Sequence, residues 1–176
     1  RDSPFRLITL KWRVVFIMKV AVVMGSLSDR PVAEKSIEML EKFGVEVEKR
    51  VISAHRTPHE ALNFAENAEE NGIEVIIAIA GKAAHLAGII AGITSLPVIG
   101  LPVKSSTMDG MDSLLSVVQM PKGVPVATVA INGGENAGLL AVQILSVKYL
   151  ELREKFKKYK LEMAKDVEQM NKEFRG

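Results

Sequence analysis

Residues 73–92 read IEVIIAIAGKAAHLAGIIAG. An apolar run from Ile73 to Ala80, interrupted only by Glu74, ends at Gly81 in a short polar step and gives way to Ala84–Ile93, where apolar residues recur at helical spacing. A run this rich in isoleucine reads as a strand buried on both faces, and a helix directly behind it is the crossover that a parallel sheet requires. The same alternation extends outward in both directions. Strands are expected at Lys19–Met24, Val45–Ile52, Ile73–Ala80, Pro97–Val103 and Val126–Ile131, and the first, third and fifth are nearly continuous apolar runs. Repeated βαβ units of this kind predict an α/β fold, a three-layer sandwich around a five-stranded parallel sheet.

The helices carry their own punctuation. Asp29 is a plausible N-cap with Pro31 in the first turn, and Gly44 follows the helix as a C′ residue. Thr57-Pro58-His59-Glu60 has the form of a reciprocal capping box, and Asn71-Gly72 closes the helix that it starts. Further helices are expected over Ala84–Ile93, Met111–Met120 and Asn136–Ser146. From Tyr149 to Phe174 a long amphipathic helix is expected, because Leu152, Phe156, Tyr159, Met163, Val167, Met170 and Phe174 recur every three or four residues. Such a stripe needs a surface to cover, either its own domain or a neighbouring subunit. Residues 1–17 are basic and apolar without a clear period. They read either as a leader preceding a natural start at Met18 or as an extra edge segment, leaving 18–147 as the main domain and 148–176 as the helical tail.

Composition narrows the function classes. A chain of 176 residues with 48% apolar and 25% charged residues has the length of one domain and the means to bury a core. The 23 Lys plus Arg against 21 Asp plus Glu leave a net charge of only +2, so nucleic acid is not the expected partner, and with neither a signal-peptide nor a transmembrane pattern well supported in the N-terminal stretch, a membrane is not expected either. With no cysteine, thiolate metal sites, disulfides and thiol nucleophiles are excluded, and a cytoplasmic location is expected.

In a parallel sheet the loops after the strands share one edge, and ligands bind there. Three of these loops carry chemistry. Gly25-Ser26-Leu27-Ser28-Asp29 joins a glycine turn to the Ser26 and Ser28 hydroxyls and a helix start, a set suited to phosphate oxygens. It matches neither the P-loop nor the dinucleotide fingerprint, so ATP and NAD are not indicated. Asp29 reads as a helix cap or as a partner for a ribose hydroxyl, and one carboxylate can serve both. In Ser53-Ala54-His55-Arg56-Thr57, Arg56 can grip a phosphate bidentately, and His55 beside it suits general acid–base work; the plainer reading of His55 is a capping or packing residue. In Gly81-Lys82-Ala83-Ala84-His85-Leu86, His85 either lines the same crevice or satisfies a backbone carbonyl. Ser105-Ser106-Thr107 and Asn132-Gly133-Gly134-Glu135-Asn136 fit a substrate wall or ordinary turns equally well. A phosphoacceptor receiver domain would need an aspartate where Ala80-Gly81-Lys82 stands, and a flavin carrier would usually present aromatic residues that these three loops lack. A phosphate-bearing small-molecule site with a histidine in it remains, belonging either to an enzyme or to a non-catalytic nucleotide-binding module.

Four ordered motifs carry a closer resemblance: Met24-Gly25-Ser26 with Ser28-Asp29, Ser53-Ala54-His55-Arg56-Thr57-Pro58, Ala83-Ala84-His85-Leu86, and the block from Asp112 to Pro121 (DSLLSVVQMP). Together, from about Met18 to Ser146, they resemble the N5-carboxyaminoimidazole ribonucleotide mutases of purine biosynthesis, also described as the catalytic subunit of phosphoribosylaminoimidazole carboxylase. The resemblance implies a flavodoxin-like domain, assembled as a homo-octamer, that moves a carboxylate from the exocyclic nitrogen to ring carbon C4 without metal or other cofactor. Its partners would be the ribonucleotide and CO2. Carried onto this chain, it implies substrate binding by Ser26, Asp29 and Arg56, helped by Ser28 and Ser53, with His55 as proton shuttle. Gly81 is a further substrate-binding candidate, and His85 and Lys82 are candidates for catalytic support, Lys82 either stabilising a carboxylate or CO2-derived charge or pointing to solvent. Two residues depart from the family's pattern: Lys82 stands where a second glycine is usual, and Ala87 replaces a proline. Related enzymes that carboxylate aminoimidazole ribonucleotide directly with CO2 typically carry a basic residue at the Lys82 position, which makes direct carboxylation the alternative activity.

Overall fold

The computed structural model of the protein describes residues 7–10 and 13–176. The main sheet contains β3 (Lys19–Met24), β4 (Glu46–Val51), β5 (Val75–Gly81), β6 (Val98–Val103) and β7 (Ala127–Thr128), in the order β4-β3-β5-β6-β7 and parallel throughout. Ahead of it, β1 (Leu7–Leu10) and β2 (Arg13–Phe16) pair antiparallel as a separate two-stranded sheet. The backbone of the leader region therefore contributes no strand to the main sheet in its described part. The remaining residues of the 1–17 leader reading, 1–6 and 11–12, lie outside the described residues.

Strand pleating sorts the core. Val20, Val22, Ile77, Ile79, Ile99 and Leu101 point to one face, and Ala21, Val23, Ile76, Ala78 and Val98 to the other. Helices α1 (Arg30–Phe43) and α5 (Gly134–Leu145) cover the first face, while α2 (Pro58–Asn67), α3 (Leu86–Ala91) and α4 (Met111–Val118) cover the second. Both faces are thus buried, which is why the strands read as apolar runs. The seam between α1 and α5 demands glycine. A Cβ at Gly138 would stand 2.8 Å from the Ser36 carbonyl oxygen, one at Gly134 would meet the Val32 carbonyl, and the Ser36 hydroxyl donates to the Gly134 carbonyl at 2.8 Å.

The tail forms α6 (Leu150–Arg175), and its two halves differ. Leu152 is fully buried, and Phe156 and Tyr159 pack beside Phe43 with ring centroids 6.0 and 5.8 Å from it. The Lys155 ammonium caps the end of α1 by donating to the Phe43 carbonyl at 2.8 Å, and Tyr149 donates to Glu74 Oε1 at 2.6 Å. Beyond Tyr159 the stripe is exposed, from Met163 and Val167 to Phe174 at 93%. The first half covers its own domain, and the second covers no described part of it.

Three local expectations are corrected. Thr57 is the N-cap of α2 by position but makes no side-chain capping bond; its hydroxyl accepts from the Ser53 N–H at 3.2 Å and lies 3.0 Å from the Ser53 carbonyl, closing the preceding loop on itself. Asp29 likewise precedes α1 without a capping bond. The strand expected over Val126–Ile131 pairs only through Ala127–Thr128. The next donor in a parallel ladder would be the amide of Pro102, which proline lacks.

Candidate active site

The ends of β3, β4, β5 and β6 open onto one cleft of about 580 Å³, lined by Gly25, Ser26, Ser28, Asp29, Ser53, His55, Arg56, Gly81, Lys82, Lys104 and Ser105 among others. The three loops singled out in the sequence therefore meet. Sheet register explains it: Met24 lies between Val51 and Ile79 on the neighbouring strands, so the chains emerge from the sheet at nearly one level.

The glycine turn after β3 is tied to the sheet by the Gly25 N–H, which donates to the Ile79 carbonyl at 3.0 Å. Ser26 Oγ accepts from the Ser28 N–H at 3.3 Å. Asp29 is 7% exposed, and its Oδ1 accepts from the Ser28 hydroxyl at 3.4 Å. Burial pushes its carboxyl above the ordinary carboxylate range, opposed by the Ser28 hydroxyl and a Ser26 backbone hydrogen bond. The carboxyl group thus faces the cleft rather than capping the helix behind it.

Arg56 is fixed from two sides. Its Nε donates to Ser53 Oγ at 3.2 Å and its Nη2 to the Gly25 carbonyl at 3.2 Å, so the guanidinium bridges the first and second loops. Ser53 in turn is held by Thr57, which gives the misread capping threonine a function: it shapes the loop that aims Arg56. The geometry suits a phosphate, because a planar donor fork is held in the cleft that Ser26 and Ser28 also line.

His55 lines the cleft, and its Nε2 lies 3.0 Å from Nδ1 of His85, the rings standing edge to face at 77°. His85 is not itself among the lining residues. It precedes α3, and its ring-to-ring hydrogen bond couples the protonation of His55 Nε2 to that of His85 Nδ1, one nitrogen donating and the other accepting. His59 is exposed on the first turn of α2 and has no part in the pair. Among the described residues, no three His, Asp or Glu side chains gather as metal ligands.

Lys104 is the lining residue that sequence reading passed over; its place directly after β6, at the same sheet edge, was the available signal. Its ammonium pairs with Asp109 at 2.6 Å. In the same loop Ser105 Oγ lies 2.9 and 3.0 Å from the two carboxylate oxygens of Asp112, while Ser106 and Thr107 do not line the cleft. The Asn132–Asn136 loop is not a cleft wall either. Asn132 Oδ1 accepts from the Lys104 N–H at 2.9 Å, and Gly134 serves the α1–α5 seam.

The family model described as AIR carboxylase matches residues 19–166, the sheet, the cleft and most of the tail together. The chain belongs to the AIR carboxylase family. Within that family it is 58% identical over 149 residues to the N5-carboxyaminoimidazole ribonucleotide mutase of Thermotoga maritima, covering 85% of this chain and 87% of that protein. The chloroplastic phosphoribosylaminoimidazole carboxylase of Vigna aconitifolia is 56% identical over 137 residues, which span 78% of this chain but 25% of the plant protein. The crystal structure of Treponema denticola PurE superposes with a TM-score of 0.78 at 32% identity, covering 85% of this chain and 93% of that one. The parallel-sheet architecture is thus shared with a solved relative.

Proposed function

We propose that this member of the AIR carboxylase family is an N5-carboxyaminoimidazole ribonucleotide mutase of purine biosynthesis, converting its substrate to 4-carboxy-5-aminoimidazole ribonucleotide. The observation that carries the reading is the placement of His55 in one cleft with Arg56, Ser26 and Asp29. The arrangement offers a phosphate fork, a hydroxyl and a carboxyl group for the ribose, and one proton carrier. The names of relatives above 50% identity support the same assignment.

The residues support a balanced proton cycle. Arg56, with Ser26, Ser28 and Ser53, anchors the phosphate, Asp29 meets the ribose, and Gly81 gives the substrate a close backbone approach. His55 donates a proton to the exocyclic nitrogen; the N–CO2 bond breaks, its electron pair stays on nitrogen, and CO2 is held in the cleft. The electron-rich C4 attacks CO2 to form the C–C bond. C4–H then returns its proton to His55, restoring the aromatic ring, so the cycle consumes no proton and needs no oxidant. Holding CO2 beside C4 avoids its recapture from dilute solution. His85 positions the His55 ring.

A homo-oligomer acting in the cytoplasm completes the reading. The exposed apolar stripe of α6 supports the oligomer, and among the described residues no helix is long and apolar enough to cross a membrane. Direct carboxylation of aminoimidazole ribonucleotide is the second reading, favoured by the name of the plant relative. Turnover of N5-carboxyaminoimidazole ribonucleotide at low bicarbonate, run beside aminoimidazole ribonucleotide plus bicarbonate without ATP, separates them. Efficient use of the first is expected. Use of the second alone would transfer the assignment to the carboxylase, and inactivity in both would refute the enzyme.

A further inference from the structure

We infer that Lys82 is the second anion-binding residue of the cleft and holds the migrating carboxyl group of a carboxylated imidazole ribonucleotide, while Arg56 holds its phosphate. The inference rests on the mutase reading above and assigns the residue that grips the group being moved.

Backbone geometry is the first observation. Lys82 has φ +56°, in the left-handed region that favours glycine. Asparagine and aspartate are the side chains that visit this region most readily, and lysine has no such local compensation. The conformation is imposed by the turn around it: the Ala84 N–H donates to the Lys82 carbonyl and the His85 N–H to the Ala83 carbonyl, each at 2.8 Å. Backbone strain of this kind persists where the surroundings over-determine it, and it concentrates at ligand sites.

Charge accounting is the second. Three cations line the cleft, and two of them are engaged. Lys104 is paired with Asp109 at 2.6 Å, and Arg56 is held by Ser53 and the Gly25 carbonyl in the pose that suits a phosphate. The Lys82 ammonium has no hydrogen-bond or ion-pair partner among the described residues. Asp29, the carboxyl group of the cleft, accepts from the Ser28 hydroxyl at 3.4 Å and makes no ion pair with Lys82. A substrate carrying a phosphate and a carboxyl group brings two anions to a cleft with one fork and one uncommitted point charge.

Placement is the third. Lys82 and His85 belong to the same turn, and His85 Nδ1 is 3.0 Å from His55 Nε2. The cation is thus carried on the loop that also positions the proton carrier. A carboxyl group held there lies at the reacting end of the substrate, with the phosphate at the Arg56 end.

The test is calorimetric titration of the wild type, Lys82→Gly and Lys82→Arg with aminoimidazole ribonucleotide and with its 4-carboxy derivative. Lys82→Gly is expected to weaken the carboxylated ligand by about tenfold or more, the scale of a charge-assisted hydrogen bond, and to leave the uncarboxylated ligand within about twofold. Lys82→Arg is expected to recover most of the loss. Because glycine accepts φ +56° without strain, the melting temperature of Lys82→Gly should rise while carboxylate affinity falls, a pair of opposite signs that a residue serving only the fold would not give. Unchanged affinity for the carboxylated ligand would overturn the inference, as would equal weakening of both ligands, which would assign Lys82 to the phosphate. Failure of the wild type to bind either ligand would instead refute the mutase reading, and the Lys82 assignment with it.

Discussion

Replacing His85 by alanine isolates its contact with His55, the proposed proton carrier. The two rings meet at 3.0 Å, and both residues are solvent-exposed, so the hydrogen bond is of ordinary strength, about 0.5–1.5 kcal/mol net. If that energy serves to keep His55 in its productive orientation, losing it lowers turnover by roughly 2- to 10-fold, at 1.4 kcal/mol per factor of ten. His55→Asn removes the proton carrier itself and should cost about 10²- to 10⁴-fold. The assay is steady-state turnover of N5-carboxyaminoimidazole ribonucleotide by both single variants and the double variant, with ligand affinity measured alongside. Affinity should stay near wild type in all three, and the double variant should be no slower than His55→Asn, because a positioning group has nothing left to position. A loss in His85→Ala as deep as that of His55→Asn would refute the division of labour and make His85 a proton carrier in its own right. Wild-type turnover in His85→Ala would refute the positioning role.

Asp29→Asn should separate stability from binding. Burial raises the folded-state pKa of this carboxyl above its ordinary 3.8, so the folded chain binds its proton more tightly than the unfolded chain. Wild-type stability contributed by Asp29 therefore falls as pH rises from that ordinary value through the raised one. The asparagine variant should lose this slope in thermal melts across the acid range and be the more stable protein at pH 7, while binding ribonucleotide more weakly; a variant with the wild-type pH slope would refute the assignment. Leu152→Ala deletes the fully buried anchor of α6 and should cost about 2–5 kcal/mol, a melting shift on the order of 10 °C, with ligand affinity unchanged below the transition. A shift of less than about 2 °C would mean that α6 is held by its polar contacts alone.

The parallel sheet was legible because Val75–Ala80 and Lys19–Met24 are buried on both faces, and double burial writes itself as an unbroken apolar run. The cleft followed from topology: once the strands were ordered, their C-terminal loops had to share an edge. What stayed hidden depends on choices among equivalent partners. A threonine before Pro58 can cap the helix or brace the loop behind it, and Thr57 braces the loop, because Ser53, four residues back, presents both an N–H and a carbonyl to one hydroxyl. The contact between His55 and His85 joins residues 30 apart, and no local pattern encodes it. The short β7 was half legible, since Pro102 was visible in the sequence while its strand neighbour was not. Lys104 escaped notice because a single lysine after a strand resembles any solvated turn until the strand end is placed.

Helix α6 is one element in space and two in exchange with solvent. Amides near Leu152, Phe156 and Tyr159 lie over packed side chains and should open only with the domain, whereas those beyond Met163 depend on helical hydrogen bonds alone. A helical segment of that length without tertiary contacts is marginal in water, so in a dilute monomer its deuterium uptake should approach that of a free peptide while the first turns remain protected. The boundary between slow and fast amides along this one helix therefore maps where the folded domain ends, several turns before the chain does.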